Sequence, residues 1–160
     1  MSENEQRALK TTKNYMFWSM GAGLVPVPVL DLAAVSGVQL KMISEISKIY
    51  GVPFHESRGK AAIGALIGFA LPHVFTVGLL GSAVKALPLV GALAGAPTMA
   101  LLSGAAAYAL GKVFIQHFES GGTFLNFKPE DVQEYFKAQF EEGRKVAAAM
   151  DADKKAEGPA

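Results

Sequence analysis

Two ionisable side chains sit where an apolar chain would not casually place them. His73 follows Pro72 inside a long uncharged tract, and Asp31 follows the run Pro26-Val27-Pro28. A polar group at membrane depth is costly and is a functional candidate there. His73 could line a pore or relay a proton. It could also bond, with Thr76, a carbonyl freed by Pro72, and that plainer reading is favoured. Asp31 could mark a broken helix of the kind that binds ions in transporters. It also suits the N-cap of a following helix, where its carboxylate accepts from free N–H groups. A cap explains Asp31 without burying charge.

Other chemistry does not assemble. A phosphate loop ends in Gly-Lys-Ser/Thr because the hydroxyl holds magnesium. Here Gly59-Lys60 is followed by Ala61, and Gly111-Lys112 by Val113. Gly21 and Gly23 lead into Val25-Pro26, not a dinucleotide fingerprint. His55, His73 and His117 are far apart, and none has an acid or histidine at helical metal-ligand spacing. There is no cysteine, which removes disulfides, thiolate metal sites and cysteine nucleophiles. No catalytic residue, cofactor or metal is expected.

Composition points to an apolar environment. Hydrophobic residues make up 51% of the chain and charged residues only 18%. Soluble domains are about a quarter charged. The net charge is +1, so no strong field recruits nucleic acid. The first fourteen residues are polar and show no secretory signal.

The positions that could matter must be held by the tract from Ala61 to Gly111, where Lys85 is the only formal charge. About 20 apolar helical residues cross a bilayer core of about 30 Å. The tract is therefore sized for two crossings, 61–84 and 86–111, with Lys85 at the turn. It is rich in glycine. Gly64/Gly68 and Gly91/Gly95 are GxxxG pairs, and Ser103, Ala107 and Gly111 continue the small-residue spacing. Small residues let helix backbones approach closely in lipid, so these seven are expected to pack helices within or between chains.

The flanks read as follows. Residues 1–13 form a polar, mobile arm. Residues 15–30 form a short apolar segment with an aromatic start (Tyr15, Phe17, Trp18), as at a membrane interface. Pro26 and Pro28 end it, because proline lacks the N–H and clashes with the preceding turn. An amphipathic helix spans 32–50, with Val35, Val38, Met42, Ile46 and Ile49 on one face. Gly51 and Pro53 close it. Gly121-Gly122 stops another helix. Pro129 opens a last helix over 129–150, with Glu130 and Asp131 in its first turn. Residues 151–160 form a disordered tail. The Lys/Arg distribution places both termini in the cytoplasm and Lys85 outside.

The segment Gly23-Leu24-Val25-Pro26-Val27-Pro28-Val29-Leu30-Asp31, with Gln39 to Met42 and Tyr50-Gly51, resembles the YcjF-like family, domain of unknown function 697. The run Gly111 to Phe118 through Gly121-Gly122 is similar to that family's closing motif. The resemblance covers roughly residues 15–127. It implies a bacterial membrane-associated domain, found alone or fused to Era-like GTPase domains. No GTPase motif is present here, so any such partner acts in trans.

The fold expected is all-α: a membrane-associated helical hairpin with flanking amphipathic helices, in one domain over residues 1–160. The function expected is a non-enzymatic integral module of the bacterial inner membrane that self-associates and serves as anchor or scaffold. Its partners would be the lipid bilayer, copies of itself, and a GTPase or another protein. One alternative is a small oligomeric channel or transporter using Asp31 or His73. Another is a soluble helical assembly with the tract buried between subunits.

Overall fold

A computed structural model describes residues 1–22, 28–80 and 88–156, with side chains described at 1–21, 37–70, 100–154 and 156. All its regular structure is helical: α1 (Glu3–Ala22), α2 (Pro28–Ile49), α3 (Glu56–Leu80), α4 (Pro88–Glu119) and α5 (Gln133–Ala156). A single 3-10 turn, Pro129–Val132, precedes α5. The all-α expectation is met. Pro26, Lys85 and residues 157–160 lie outside the described residues. So do the side chains of Pro28, Asp31 and His73.

The first correction concerns the N-terminus. Residues 1–13 are not a mobile arm; from Glu3 onward they are the opening turns of α1. Ser2 Oγ accepts a hydrogen bond from the Glu5 N–H at 3.0 Å. The spacing Ser2-x-x-Glu5 is that of a capping box. Glu3 and Glu5 add negative charge at the positive end of the helix dipole. Ala8, Thr12, Met16 and Ser19 then recur at helical spacing and are fully buried. Two of those four are polar, which hid the stripe in the sequence. Thr12 satisfies its hydroxyl by donating to the Ala8 carbonyl at 2.9 Å. The apolar segment expected over 15–30 is accordingly divided. Its first half belongs to α1, and α2 starts at Pro28.

Pro28 occupies a position where proline's missing N–H is harmless. Asp31 is therefore the fourth residue of α2, not the cap of a helix starting at Leu32. Gln39, Met42, Ile43, Ile46 and Ser47 form the buried face. Gly51, at φ 68, ends the helix. The Gly51 N–H bonds to Lys48 O at 3.1 Å and the Val52 N–H to Ser47 O at 2.8 Å. That pair is the Schellman motif, which needs a left-handed residue and so favours glycine.

α4 is the axis of the bundle. Its C-terminal half buries Ala105, Ala107, Ala109, Leu110, Val113, Phe114, Ile115 and Phe118. α1, α2 and α5 pack around it. α3 joins the core through Ala62, Ile63, Leu66 and Ala70. α4 closes on a second Schellman turn: Gly121 has φ 85, and the Gly122 N–H bonds to His117 O at 2.9 Å. His117 folds over this turn, with Nε2 at 2.8 Å from Thr123 O. Beyond it, Phe124 and Phe127 pack on Phe114, whose ring stacks on Phe127 at 4.7 Å.

The C-terminal expectation is corrected too. The helix expected to stop at 150 runs to Ala156, so 151–156 are helical. Val146, Ala147 and Met150 keep packing on the core and carry the helix onward.

Among the described residues no helix is long and apolar enough to cross a membrane. Within the apolar tract, Ala62, Ile63, Leu66 and Ala70 of α3 and Ala100, Ser103, Ala105, Ala107, Ala109 and Leu110 of α4 are buried. Residues 71–80 of α3 and 88–99 of α4 lie between these in the sequence and are helical.

Candidate membrane-facing end

Glycine contacts fix the helix registers. A Cβ on Gly111 would fall on the Thr12 side chain, and one on Gly104 would lie 2.8 Å from Met20 Cγ and 3.2 Å from Ala147 Cβ. A Cβ on Gly143 would lie 2.9 Å from Ala105 O and 3.0 Å from Tyr108 Cβ. Residue numbers rise along α4 as they fall along α1 and α5. Both helices are therefore antiparallel to α4. The end of α1, the end of α5 and the start of α4 point the same way.

This end carries the exposed aromatic residues. Phe17 is 52% and Trp18 67% exposed, although neighbouring Met16 and Ser19 are fully buried. Lys154 Nζ sits 5.3 Å from the centroid of Phe17, a cation–π contact. It joins the charged end of α5 to the aromatic pair of α1. Asp153 and Lys154 are exposed. Farther back, α5 carries surface pairs at i, i+3: Lys137–Glu134 at 3.3 Å and Arg144–Glu141 at 3.5 Å. Such pairs are worth little to stability, but they identify α5's outer face as one that meets water.

Two polar side chains near this end are buried with no partner among the described residues. Ser19 Oγ on α1 has none, nor does either polar atom of the Gln39 amide on α2. Between α1 and α2, Arg7, Lys10, Thr11, Glu45, Lys48 and Ile49 line a groove rich in cations. Beside it, the Tyr15 hydroxyl donates to Glu45 Oε1 at 2.7 Å. Burial, and then the Glu45 carboxylate, push the Tyr15 phenol up to about 12.

The opposite end is closed. Ser2 Oγ donates to Glu119 Oε2 at 3.0 Å, tying the start of α1 to the end of α4. Burial first, then nearby Glu119, push the Tyr50 phenol above its ordinary value. Among the described residues no three His, Asp or Glu side chains converge on a metal-sized site.

The residues singled out in the sequence are not gathered into one place. Gly64 and Gly68 are exposed, and a Cβ on either would meet nothing within 4 Å. Gly111, Ala107 and Ser103 are buried inside the single chain. Gly91 and Gly95 lie in the first turns of α4, outside the residues whose side-chain surroundings are described. Asp31 and His73 lie on α2 and α3, each on the part leading toward the exposed end. Sequence reasoning missed Lys154 as a neighbour of Phe17, because no local pattern links residues so far apart. It also missed Ser19 and Gln39, though a polar residue on an otherwise apolar helical stripe was the available signal.

A family model described as domain of unknown function (DUF697) matches residues 1–145. Magnetosome membrane protein 22 of Magnetospirillum gryphiswaldense is 38% identical over 144 residues, covering 90% of this chain and 74% of that protein. No solved structure matches.

Proposed function

The chain belongs to the DUF697 family, and from that premise we propose that it is a non-enzymatic membrane module, an anchor or scaffold rather than a catalyst. The observation that carries this reading is the exposed end of the bundle. Phe17 and Trp18 face outward there, at the end of the bundle where α4 begins. Aromatic residues of this kind prefer the membrane–water interface, where an apolar ring and a polar edge are both accommodated. The similarity to a magnetosome membrane protein supports a membrane location.

In this reading the α3–α4 hairpin enters the bacterial inner membrane. The bundle, with both termini, stays on the cytoplasmic side. Gly64 and Gly68 offer a smooth outer surface on α3 for a second copy, because no described residue covers them. The cation-lined groove between α1 and α2 faces the cytoplasm and would receive a partner acting in trans, a GTPase among them.

Flotation with phospholipid vesicles tests the proposal. The protein should rise with the vesicles, and Phe17→Ala with Trp18→Ala should reduce the floating fraction. Wild-type protein that stays at the bottom of the gradient would remove the membrane reading.

A further inference from the structure

We infer that the groove between α1 and α2 binds a phosphate monoester, held by Arg7, Lys10 and Lys48. This rests on the reading of that groove as a binding site and names the chemistry it recognises.

Helix geometry brings the groups together. Arg7, Lys10 and Thr11 are spaced i, i+3, i+4 and share one face of α1. Lys48 and Ile49, in the last turn of α2, line the groove from the other side. The two helices are fixed against each other beneath it. Ala8 and Thr12 of α1 and Ile46 and Ser47 of α2 are buried, and the Tyr15 hydroxyl donates to Glu45 Oε1 at 2.7 Å. The backbones that carry the cations are therefore set before a ligand arrives, which lowers the cost of binding.

The protein does not answer these charges itself. On α3 and α5, Lys60 meets Glu56 at 3.0 Å, Lys137 meets Glu134 at 3.3 Å and Lys145 meets Glu142 at 3.8 Å. Glu3 stands at the same kind of spacing from Arg7, and Glu45 from Lys48. Yet among the described residues no carboxylate pairs with Arg7, Lys10 or Lys48. Glu45 is engaged by Tyr15 instead. Three cations against one carboxylate leave the groove at +2. A phosphate monoester carries about −1.5 to −2 at pH 7, with three acceptor oxygens, and matches that excess. Arg7 can hold two of the oxygens through its planar fork. Lys10 and Lys48 add point charges, and the Thr11 hydroxyl adds a neutral donor. Glu45 Oε2, which Tyr15 does not use, can accept from a hydroxyl on the carbon part of the ester. The groove has a volume of about 410 Å³, within the roughly 300–1,000 Å³ of small-ligand sites. Lys10 precedes Phe17 by seven residues, about 10 Å along α1. A soluble ester reaches the groove freely, whereas a lipid headgroup must rise that far from the aromatic pair.

Titration calorimetry of the whole chain in non-ionic detergent, at physiological ionic strength, tests the site with inorganic phosphate and with glycerol 3-phosphate. One saturable site is expected. Arg7→Gln, Lys10→Gln and Lys48→Gln should each weaken binding roughly tenfold, the usual scale for one charge-assisted contact. All three positions are exposed, so the circular dichroism of the variants should be unchanged. Glu45→Gln, which keeps an acceptor for Tyr15, should tighten inorganic phosphate. Lys13→Gln and Lys41→Gln, on the same helices outside the groove, should bind as the wild type does. Flotation with phosphatidylcholine vesicles, with and without phosphatidic acid, forms the second arm, because that headgroup is itself a phosphate monoester. Groove variants that lose the soluble esters alone assign the phosphate to a free ligand. Variants that lose the phosphatidic acid effect alone assign it to a headgroup, and either result supports the site. Absence of saturable binding in both arms, or equal losses in the Lys13 and Lys41 variants, would overturn it while the membrane reading stands. Wild-type protein that binds glycerol 3-phosphate but floats with no vesicle would support the site and remove the membrane reading.

Discussion

At the scale of single residues, glycines in one apolar tract play opposite parts. Gly111 sits where α4 passes α1, and an added side chain would collide with Thr12. Gly111→Val should lower stability by about 1–3 kcal/mol, the usual cost of overpacking a closed contact. Gly64 is exposed with open space around it. Gly64→Ala should raise stability by about 0.5–1 kcal/mol, since alanine restricts the unfolded chain and suits a helix. Thermal unfolding of the two variants checks both signs. Gln39 supplies a second test. Its amide is fully buried with both polar atoms unpartnered. Gln39→Met should raise stability by roughly 1–3 kcal/mol, because an unmet buried polar group carries its full desolvation cost. A lower melting temperature would show that the amide has a partner in solution.

At the scale of elements, α1 and α2 are joined by one hydrogen bond whose pH dependence is predictable. The Tyr15 phenol, bonded to Glu45, is raised from 10.0 to about 12. A raised pKa means that the folded state holds the proton more tightly than the unfolded state. The contribution is complete below pH 10, falls as pH rises through the window from 10 to 12, and is lost above it. Denaturant unfolding should show stability declining across that window, and Tyr15→Phe should flatten the decline. Tyr50, also raised, contributes with the same sign, so the variant should reduce the slope and not abolish it. The element boundaries follow similar local logic. Both left-handed turns, at Gly51 and Gly121, are glycines, and both were readable as helix stops. The start of α1 was readable in principle, from the Ser2-x-x-Glu5 spacing. It was obscured because Thr12 and Ser19 stand on the buried face.

At the scale of the whole molecule, the core among the described side chains already joins all five helices. Replacing residues 71–99 with a short Gly/Ser linker should therefore leave a cooperatively unfolding helical bundle. Circular dichroism during heating would show one transition, and vesicle flotation should be lost. A non-cooperative product would mean that residues 71–99 hold the bundle together as well as anchor it. Of the seven small residues, Ser103, Ala107 and Gly111 serve packing inside the chain, and Gly64 and Gly68 are exposed with nothing within 4 Å of an added Cβ.

The sequence by itself determined that the chain is helical, that it lacks cysteine chemistry, and that one long stretch is almost without charge. Those conclusions need only composition, spacing and the local rules of caps and turns. It also carried the family resemblance, in the Pro-x-Pro run and the segment from Gly111 to Gly122. What only the tertiary structure decided is which described residues of the uncharged stretch are buried against other helices. Hydrophobicity along a chain reports that a residue avoids water, not which apolar neighbour it finds. Ala105 and Leu110 find α1 and α5 at the bundle core, and so does Met16 of a helix whose neighbours are polar. Burial against another helix and burial in a membrane read alike in sequence, and packing alone separates them.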